Sequence, residues 1–233
     1  MKLKFLKGAT DGIPIGFGYL SVSFGFGIMA VKSGLTPIDS AIISATNLTS
    51  AGQAAGVGVI ASDGGLVEMI LTQLTINIRY ALMALSLSQR LDKSFTLPKR
   101  LAAAFGITDE IFAVASAQKK KLTASYMAGM ILVALIGWVT GTTLGAAAGE
   151  LLPKSLSNAM GIVLYGMFIA IIIPPSRKSK KVLSVVVIAA LISVLFRFFE
   201  DYVSGGFAVI ISAIVAAAIG ALLFPITDEE DAS

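Results

Sequence analysis

Apolar runs of about 20 residues, the length that carries a helix across a bilayer core, recur along the chain. Six read as full crossings: Gly12–Val31, Gly65–Ser88, Thr123–Gly149, Ser155–Ile173, Val182–Phe199 and Gly205–Phe224. Two further runs are apolar but interrupted. Pro37–Ile60 carries Asn47, Thr49, Ser50, Gly52, Gln53, Gly56 and Gly58, and Pro98–Ala117 carries Gly106, Thr108, Asp109 and Glu110 at its middle. Interrupted backbone at membrane depth is tolerated where it lines a cavity rather than lipid, so both runs are expected as broken or re-entrant segments. The competing reading is two tilted helices whose polar faces turn into the bundle. The fold expected is all-α: a polytopic transmembrane helical bundle with about six crossings plus two broken or re-entrant segments, forming one integral membrane domain over residues 1–233.

Charge bias sets how these elements lie. Basic clusters occur at Lys2–Lys7, Arg90–Arg100, Lys119–Lys121 and Arg177–Lys181, whereas the connections near Asp63 and Glu68, Glu150 and Glu200–Asp201 are poor in basic residues. The positive-inside rule places all four basic clusters in the cytoplasm. That works only if each interrupted run enters and leaves on one side, the first from outside and the second from the cytoplasm. Both termini are then cytoplasmic, as expected for a bacterial inner-membrane protein, and the acidic tail Asp228–Asp231 is a solvated end. Lys2, Lys4 and Lys7 precede an apolar stretch with no clean small-residue cleavage site, so a retained first span is expected rather than a signal peptide.

Composition narrows the function classes. Only 14% of residues are charged and 56% are hydrophobic, with a mean hydropathy of +0.87; a soluble domain carries roughly 25% charged residues. The net charge of +4 sits in short loops as a topology signal and does not point to nucleic acid. Histidine and cysteine are absent, which excludes disulfides, thiolate or imidazole metal sites and any imidazole base. No phosphate-cradling ATPase loop occurs, and no cofactor is expected. An enzyme is not expected either: Asp109 and Glu110 are adjacent rather than facing.

Gly137, Gly141, Gly145 and Gly149 recur every four residues, a flat stripe on which another helix can lie close. Packing within the chain is the simpler expectation. In Leu71–Tyr80, helical spacing puts Gln73, Asn77 and Tyr80 on one face and Thr72, Thr75 and Arg79 on roughly the other. A helix polar on two faces belongs at the bundle centre. Arg79 lies nine residues before Ser88, about 13 Å at helical rise and too far to snorkel. At the bilayer centre an arginine costs at least about 2.5–3.5 kcal/mol, so it calls for a counter-charge, a cavity or a bound anion.

Its natural partners are Asp109 and Glu110. Thr108-Asp109-Glu110 also reads as a helix N-terminus with acids near the positive dipole end. Adjacent carboxylates in low dielectric raise each other's proton affinity, so one of them is a candidate proton carrier or ammonium ligand. Ser50 and Gln53, within a run of small residues, can hydrogen-bond a solute. A cation, carboxylates, amides and exposed backbone together suit an amino-acid zwitterion. The expected substrate-binding set is Ser50, Gln53, Asn77, Arg79 and Tyr80, with Asp109 and Glu110 for proton coupling or ammonium binding.

At these residues the chain resembles the AzlC family of branched-chain amino-acid permeases. The resemblance runs through Gly12-Ile13-Pro14-Ile15, Gly18-Tyr19, Gly34-Leu35-Thr36, Ser50–Gln53, Leu74–Arg79, Leu82-Met83, Ser86-Leu87-Ser88 and Thr108–Ala113. It implies proton-motive-force-dependent export of leucine, isoleucine and valine together with a small membrane partner of the AzlD type. Two positions depart from the family pattern. Leu48-Thr49-Ser50-Ala51-Gly52-Gln53 stands where an aromatic-Ala-Gly-Ser-Ala-Gln run is usual, and Tyr80 where histidine often follows the arginine. The rival functions are the membrane permease subunit of an ATP-driven amino-acid transporter, a passive channel and an intramembrane enzyme.

Overall fold

The computed structural model describes residues 3–149, 169, 172–199 and 202–225. The expected crossing at Ser155–Ile173 lies largely outside these residues. Glu150, Glu200–Asp201 and the tail Asp228–Asp231 lie outside them altogether. Helices α1 (Phe5–Lys32), α4 (Leu66–Ser88), α7 (Ala124–Gly149), α8 (Lys180–Phe196) and α9 (Gly205–Leu223) follow the apolar runs. All five are long and apolar enough to cross a membrane, the fourth counted through its 3-10 extension to Phe199. No strand occurs among the described residues, so the chain is an all-α membrane protein.

Both interrupted runs are broken helices. The first is α2 (Pro37–Thr46) and α3 (Ser50–Ala61), separated at Asn47–Thr49; the second is α5 (Leu97–Phe105) and α6 (Asp109–Ser116), separated at Gly106–Thr108. Local chemistry explains where they start. Thr36 caps α2 in a reciprocal box with Asp39, ahead of Pro37 at the first turn. The Thr36 hydroxyl donates to the Asp39 carboxylate at 2.6 Å and holds that carboxyl below the usual range. Pro98 plays the same opening role in α5. After each break a threonine caps the second half: Thr49 Oγ1 accepts from the Gly52 N–H and Thr108 Oγ1 from the Ile111 N–H. Beside each cap an apolar residue, Leu48 or Ile107, is buried.

Contacts group the chain into two compact units, Met1–Val57 with Ile76–Leu164 and Gly58–Thr75 with Tyr165–Ser233. The spine of the first is α1 packed on α7 through glycines of both helices. A Cβ on Gly137 would lie 2.2 Å from the Gly16 carbonyl oxygen, one on Gly141 2.4 Å from that of Leu20, and one on Gly145 2.0 Å from that of Phe24. From the other side Gly8 meets Tyr126 and Gly12 meets Met130. Residue numbers climb together on both helices, so α1 and α7 run parallel at backbone contact, the arrangement small residues permit. The glycine stripe is thus filled from within the chain, except that Gly149 makes only ordinary contact with Ile28.

The two broken helices enter and leave at opposite ends of this spine. Past α4 the Arg90 guanidinium donates to the carbonyls of Ser116 and Gln118, and Leu122 N–H donates to the Arg90 carbonyl at 2.9 Å. Ala124 N–H donates to Ser94 Oγ at 2.9 Å, and Thr123 Oγ1 donates to the Leu3 carbonyl at 2.7 Å. The entry to α5, the exit of α6 and the starts of α1 and α7 therefore share one end, where Lys4, Arg90 and Lys119–Lys121 also gather. At the other end, α2 leaves α1 after Lys32 and descends to Ser44, whose hydroxyl lies 2.7 Å from that of Thr142. Helix α3 then climbs back until Val57 packs with Phe26 and Ala30. Each broken segment is a re-entrant hairpin.

In the second unit α8 and α9 form an antiparallel pair, with Gly220 against Val185. Residues 58–75 bring the first turns of α4 into that unit, where Glu68 meets the start of α9.

Candidate functional site

The tips of both hairpins reach the middle of the α1–α7 spine, marked by Tyr19 on α1 and Trp138 on α7. These rings pack edge to face with centroids 5.2 Å apart. The arrangement aims two capped helix N-termini, at Ser50 and Asp109, into the same region. Each carries the partial positive charge of unsatisfied N–H groups.

Around them lie three connected groups. In the first, Arg79 Nη1 forms an ion pair with Asp109 Oδ2 at 2.9 Å and Nη2 donates to Tyr80 Oη at 3.2 Å. The guanidinium also stands 5.0 Å from the Tyr80 ring centroid. Tyr80 Oη lies 3.3 Å from Thr49 Oγ1, and Thr49 Oγ1 donates to Asn77 Oδ1 at 3.0 Å. This group ties the first break to the second through α4. Arg79 Nε is buried and has no hydrogen-bond partner among the described residues, although the side chain as a whole is 38% exposed.

In the second group, Tyr19 Oη lies 2.5 Å from both Thr108 Oγ1 and Glu110 Oε2. A phenol has one proton, and the charged acceptor takes it more strongly. Tyr19 therefore donates to Glu110 and accepts from the Thr108 hydroxyl, which itself accepts from the Ile111 N–H. In the third group, Gln53 is buried with both ends of its amide used. Its Nε2 donates to Ser44 Oγ at 2.7 Å, and its Oε1 accepts from Trp138 Nε1 at 2.6 Å.

The expected site residues thus divide. Arg79, Tyr80, Asn77 and Asp109 come together. Glu110 turns to Tyr19 instead of Arg79, and Gln53 belongs to the Ser44–Trp138 group. Ser50 opens α3 one residue past Thr49. Five members of these networks were not singled out from sequence for the site: Tyr19, Ser44, Thr49, Thr108 and Trp138. A faint signal existed for two of them. Trp138 is the only tryptophan and adjoins the stripe residue Gly137, and Thr49 adjoins the Ser50–Gln53 run.

Chemically the arrangement offers a guanidinium edge, a carboxylate and two helix N-termini in a region walled by Tyr19 and Trp138. Donors and an acceptor are within one side-chain length of each other, with no nucleophile paired to a base among the described residues.

Comparison with known proteins gives the same picture of class. The AzlC protein family matches residues 14–152, which include both hairpins and every residue of the three groups. The chain is 29% identical over 198 residues to the inner membrane protein YgaZ of Escherichia coli, covering 82% of this chain and 80% of that protein. It is 28% identical over 174 residues to an uncharacterized membrane protein of Archaeoglobus fulgidus, covering 73% and 75% respectively. No solved structure gives a significant match. With its family match spanning more than half the chain, this multi-pass membrane protein belongs to the AzlC family.

Proposed function

We propose that the chain is a permease for small neutral amino acids, exporting branched-chain amino acids at the expense of the proton-motive force. The observation that carries this reading is the buried Nε–H of Arg79, unpartnered among the described residues and beside an Asp109 carboxylate, where two hairpin tips meet. One edge of a guanidinium can hold a carboxylate through two parallel N–H bonds, and Asp109 can accept from an ammonium. Helix N-termini at both breaks add to the attraction for the carboxylate, as in broken-helix transporters. Leu48, Ile107, Tyr19 and Trp138 give an aliphatic side chain apolar surroundings. Asp109 serves the ammonium, while Glu110, tied to Tyr19 and Thr108, holds the second break in shape. The basic end of the spine, carrying Lys4, Arg90 and Lys119–Lys121, faces the cytoplasm in this reading. A small AzlD-type membrane protein completes the transporter, and the first unit needs no such partner to fill its glycine stripe.

The test is exchange of a panel of radiolabelled amino acids in proteoliposomes, with and without the small partner, for the native chain and Arg79→Lys. Leucine, isoleucine and valine should exchange in the native protein. Lysine keeps the charge but loses the planar fork, so Arg79→Lys should fail almost as completely as Arg79→Ala. Full exchange by Arg79→Lys would make Arg79 a structural counter-ion and remove the carboxylate from this position.

A further inference from the structure

Among the described residues Glu68 is the buried charged side chain, 5% exposed, and it lies outside the Arg79 groups. It sits in the first turn of α4 within the second unit. Its Oε1 accepts from the Ser204 hydroxyl and from the Gly206 N–H at 3.0 Å, at the start of the 19-residue helix α9. Gly206 allows this approach: a Cβ there would lie 2.4 Å from Glu68 Oε1 and 2.9 Å from Thr72 Oγ1. Thr72 Oγ1 borders the same backbone position, is fully buried, and has no hydrogen-bond partner among the described residues. Glu68 Oε2 looks to the turn before α4, 2.9 Å from where a Cβ on Gly64 would stand. Among the described residues, the elements packed on it bring no second buried charge. Helix α9 contains no titratable residue, while Asp63 in the turn and Tyr202 ahead of α9 are exposed.

A carboxylate used only as a helix cap would be expected at the surface, since burial of an unpaired charge is costly. Here it is enclosed, has no basic partner among the described residues, and stands beside an unsatisfied hydroxyl. Enclosed acids in membrane helices recur as proton-carrying positions. We propose that Glu68, with Thr72 beside it, is the proton-binding site of this protein. This rests on the transport reading for its role in coupling. A proton from water bonds to Oε2, converting the carboxylate to the acid while Oε1 keeps Ser204 and Gly206. Release returns it to water and restores the charge facing α9. Asp109, paired with Arg79, is then left for the substrate ammonium rather than for coupling.

The experiment uses the full chain reconstituted in liposomes, as the native protein, Glu68→Gln, Glu68→Asp and Asp109→Asn. Glutamine keeps an oxygen for Ser204 and Gly206, so folding is preserved and checked by size-exclusion profile. Infrared difference spectra between two pH values should show a deuterium-sensitive carboxylic-acid band in the native chain and in Glu68→Asp. The band should be lost in Glu68→Gln. Proton-gradient-driven accumulation of radiolabelled leucine should fall about tenfold or more in Glu68→Gln, with exchange retained. An unchanged infrared band in Glu68→Gln, or native accumulation by that variant, overturns the assignment, as does loss of the band in Asp109→Asn alone. If the native chain moves no leucine, the transport reading fails while the infrared measurement still decides whether Glu68 binds a proton.

Discussion

The two hairpins share a backbone plan and differ in chemistry. Each begins near a proline, breaks after nine or ten residues, buries one apolar residue at the break and restarts on a threonine cap. The first hairpin then supplies neutral groups, Thr49, Ser50 and Gln53, whereas the second supplies Asp109 and Glu110. The neutral tip is held by amide and hydroxyl bonds to α2 and α7, with Gln53 locked between Ser44 and Trp138. The acidic tip is held by α1 and α4, through Tyr19 and Arg79. On the proposed transport reading, one tip works as a fixed wall and the other carries the charge that a zwitterion reads. Arg79 and Tyr80 together link the two, since Tyr80 reaches Thr49 while Arg79 reaches Asp109.

The largest effect should come from the spine that both hairpins share. Gly141→Leu would place a side chain where even a Cβ meets Ser23 Oγ at 2.1 Å and the Leu20 carbonyl at 2.4 Å. Overpacking against flexible side chains costs about 1–3 kcal/mol, and backbone cannot yield as side chains do. We expect no monodisperse protein on size exclusion in mild detergent. A well-folded Gly141→Leu protein would mean that α1 and α7 are not in backbone contact.

Next comes the neutral tip. Trp138→Phe removes the donor to Gln53 Oε1 while keeping most of the ring, leaving a buried acceptor unmade at about 1–3 kcal/mol. The prediction is a lower thermal midpoint with substrate affinity little changed, because the wall loosens and the charges stay. A selective loss of leucine binding with unaltered stability would reverse the roles assigned to the two tips.

The threonine caps separate the tips at smaller cost. Thr49→Ala and Thr108→Ala should each lose about 1 kcal/mol from the cap alone. Each should lose more than that, because the Thr108 hydroxyl also meets the Tyr19 oxygen that holds Glu110 and the Thr49 hydroxyl also joins Asn77 to Tyr80. Serine at either position should restore most of the loss. A thermal shift no larger than the cap alone accounts for, in either variant, would show that the side-chain bonds of that threonine add nothing.

Single cysteines perturb least and test how the hairpins lie. The chain has no native cysteine, so placement is simple. A cysteine at Asp63 should react with an impermeant reagent from outside the cell and one at Lys93 should not. External labelling at Lys93 would exclude a hairpin that returns to the cytoplasm.

The sequence by itself determined the kind of molecule and the places where its helices break. Hydropathy over about 20 residues marks a crossing whatever its neighbours are, and Thr-Pro starts, glycine, and threonine before Asp109 act within a turn or two of themselves. Basic clusters recorded which connections share a side, so the two same-side hairpins were legible before any contact was known. The pairings were not. Gln53 meets Trp138 across 85 positions and Tyr19 meets Glu110 across 91, and helical periodicity says nothing about register between elements so far apart. That register was decided by α1 and α7 meeting glycine to backbone, in parallel and at one height, which sets where each hairpin tip stops. From composition alone Asp109 and Glu110 were equivalent partners for Arg79. Only the packing sent Asp109 to the guanidinium and Glu110 to a phenol, because one helix turn cannot aim two adjacent side chains at the same neighbour.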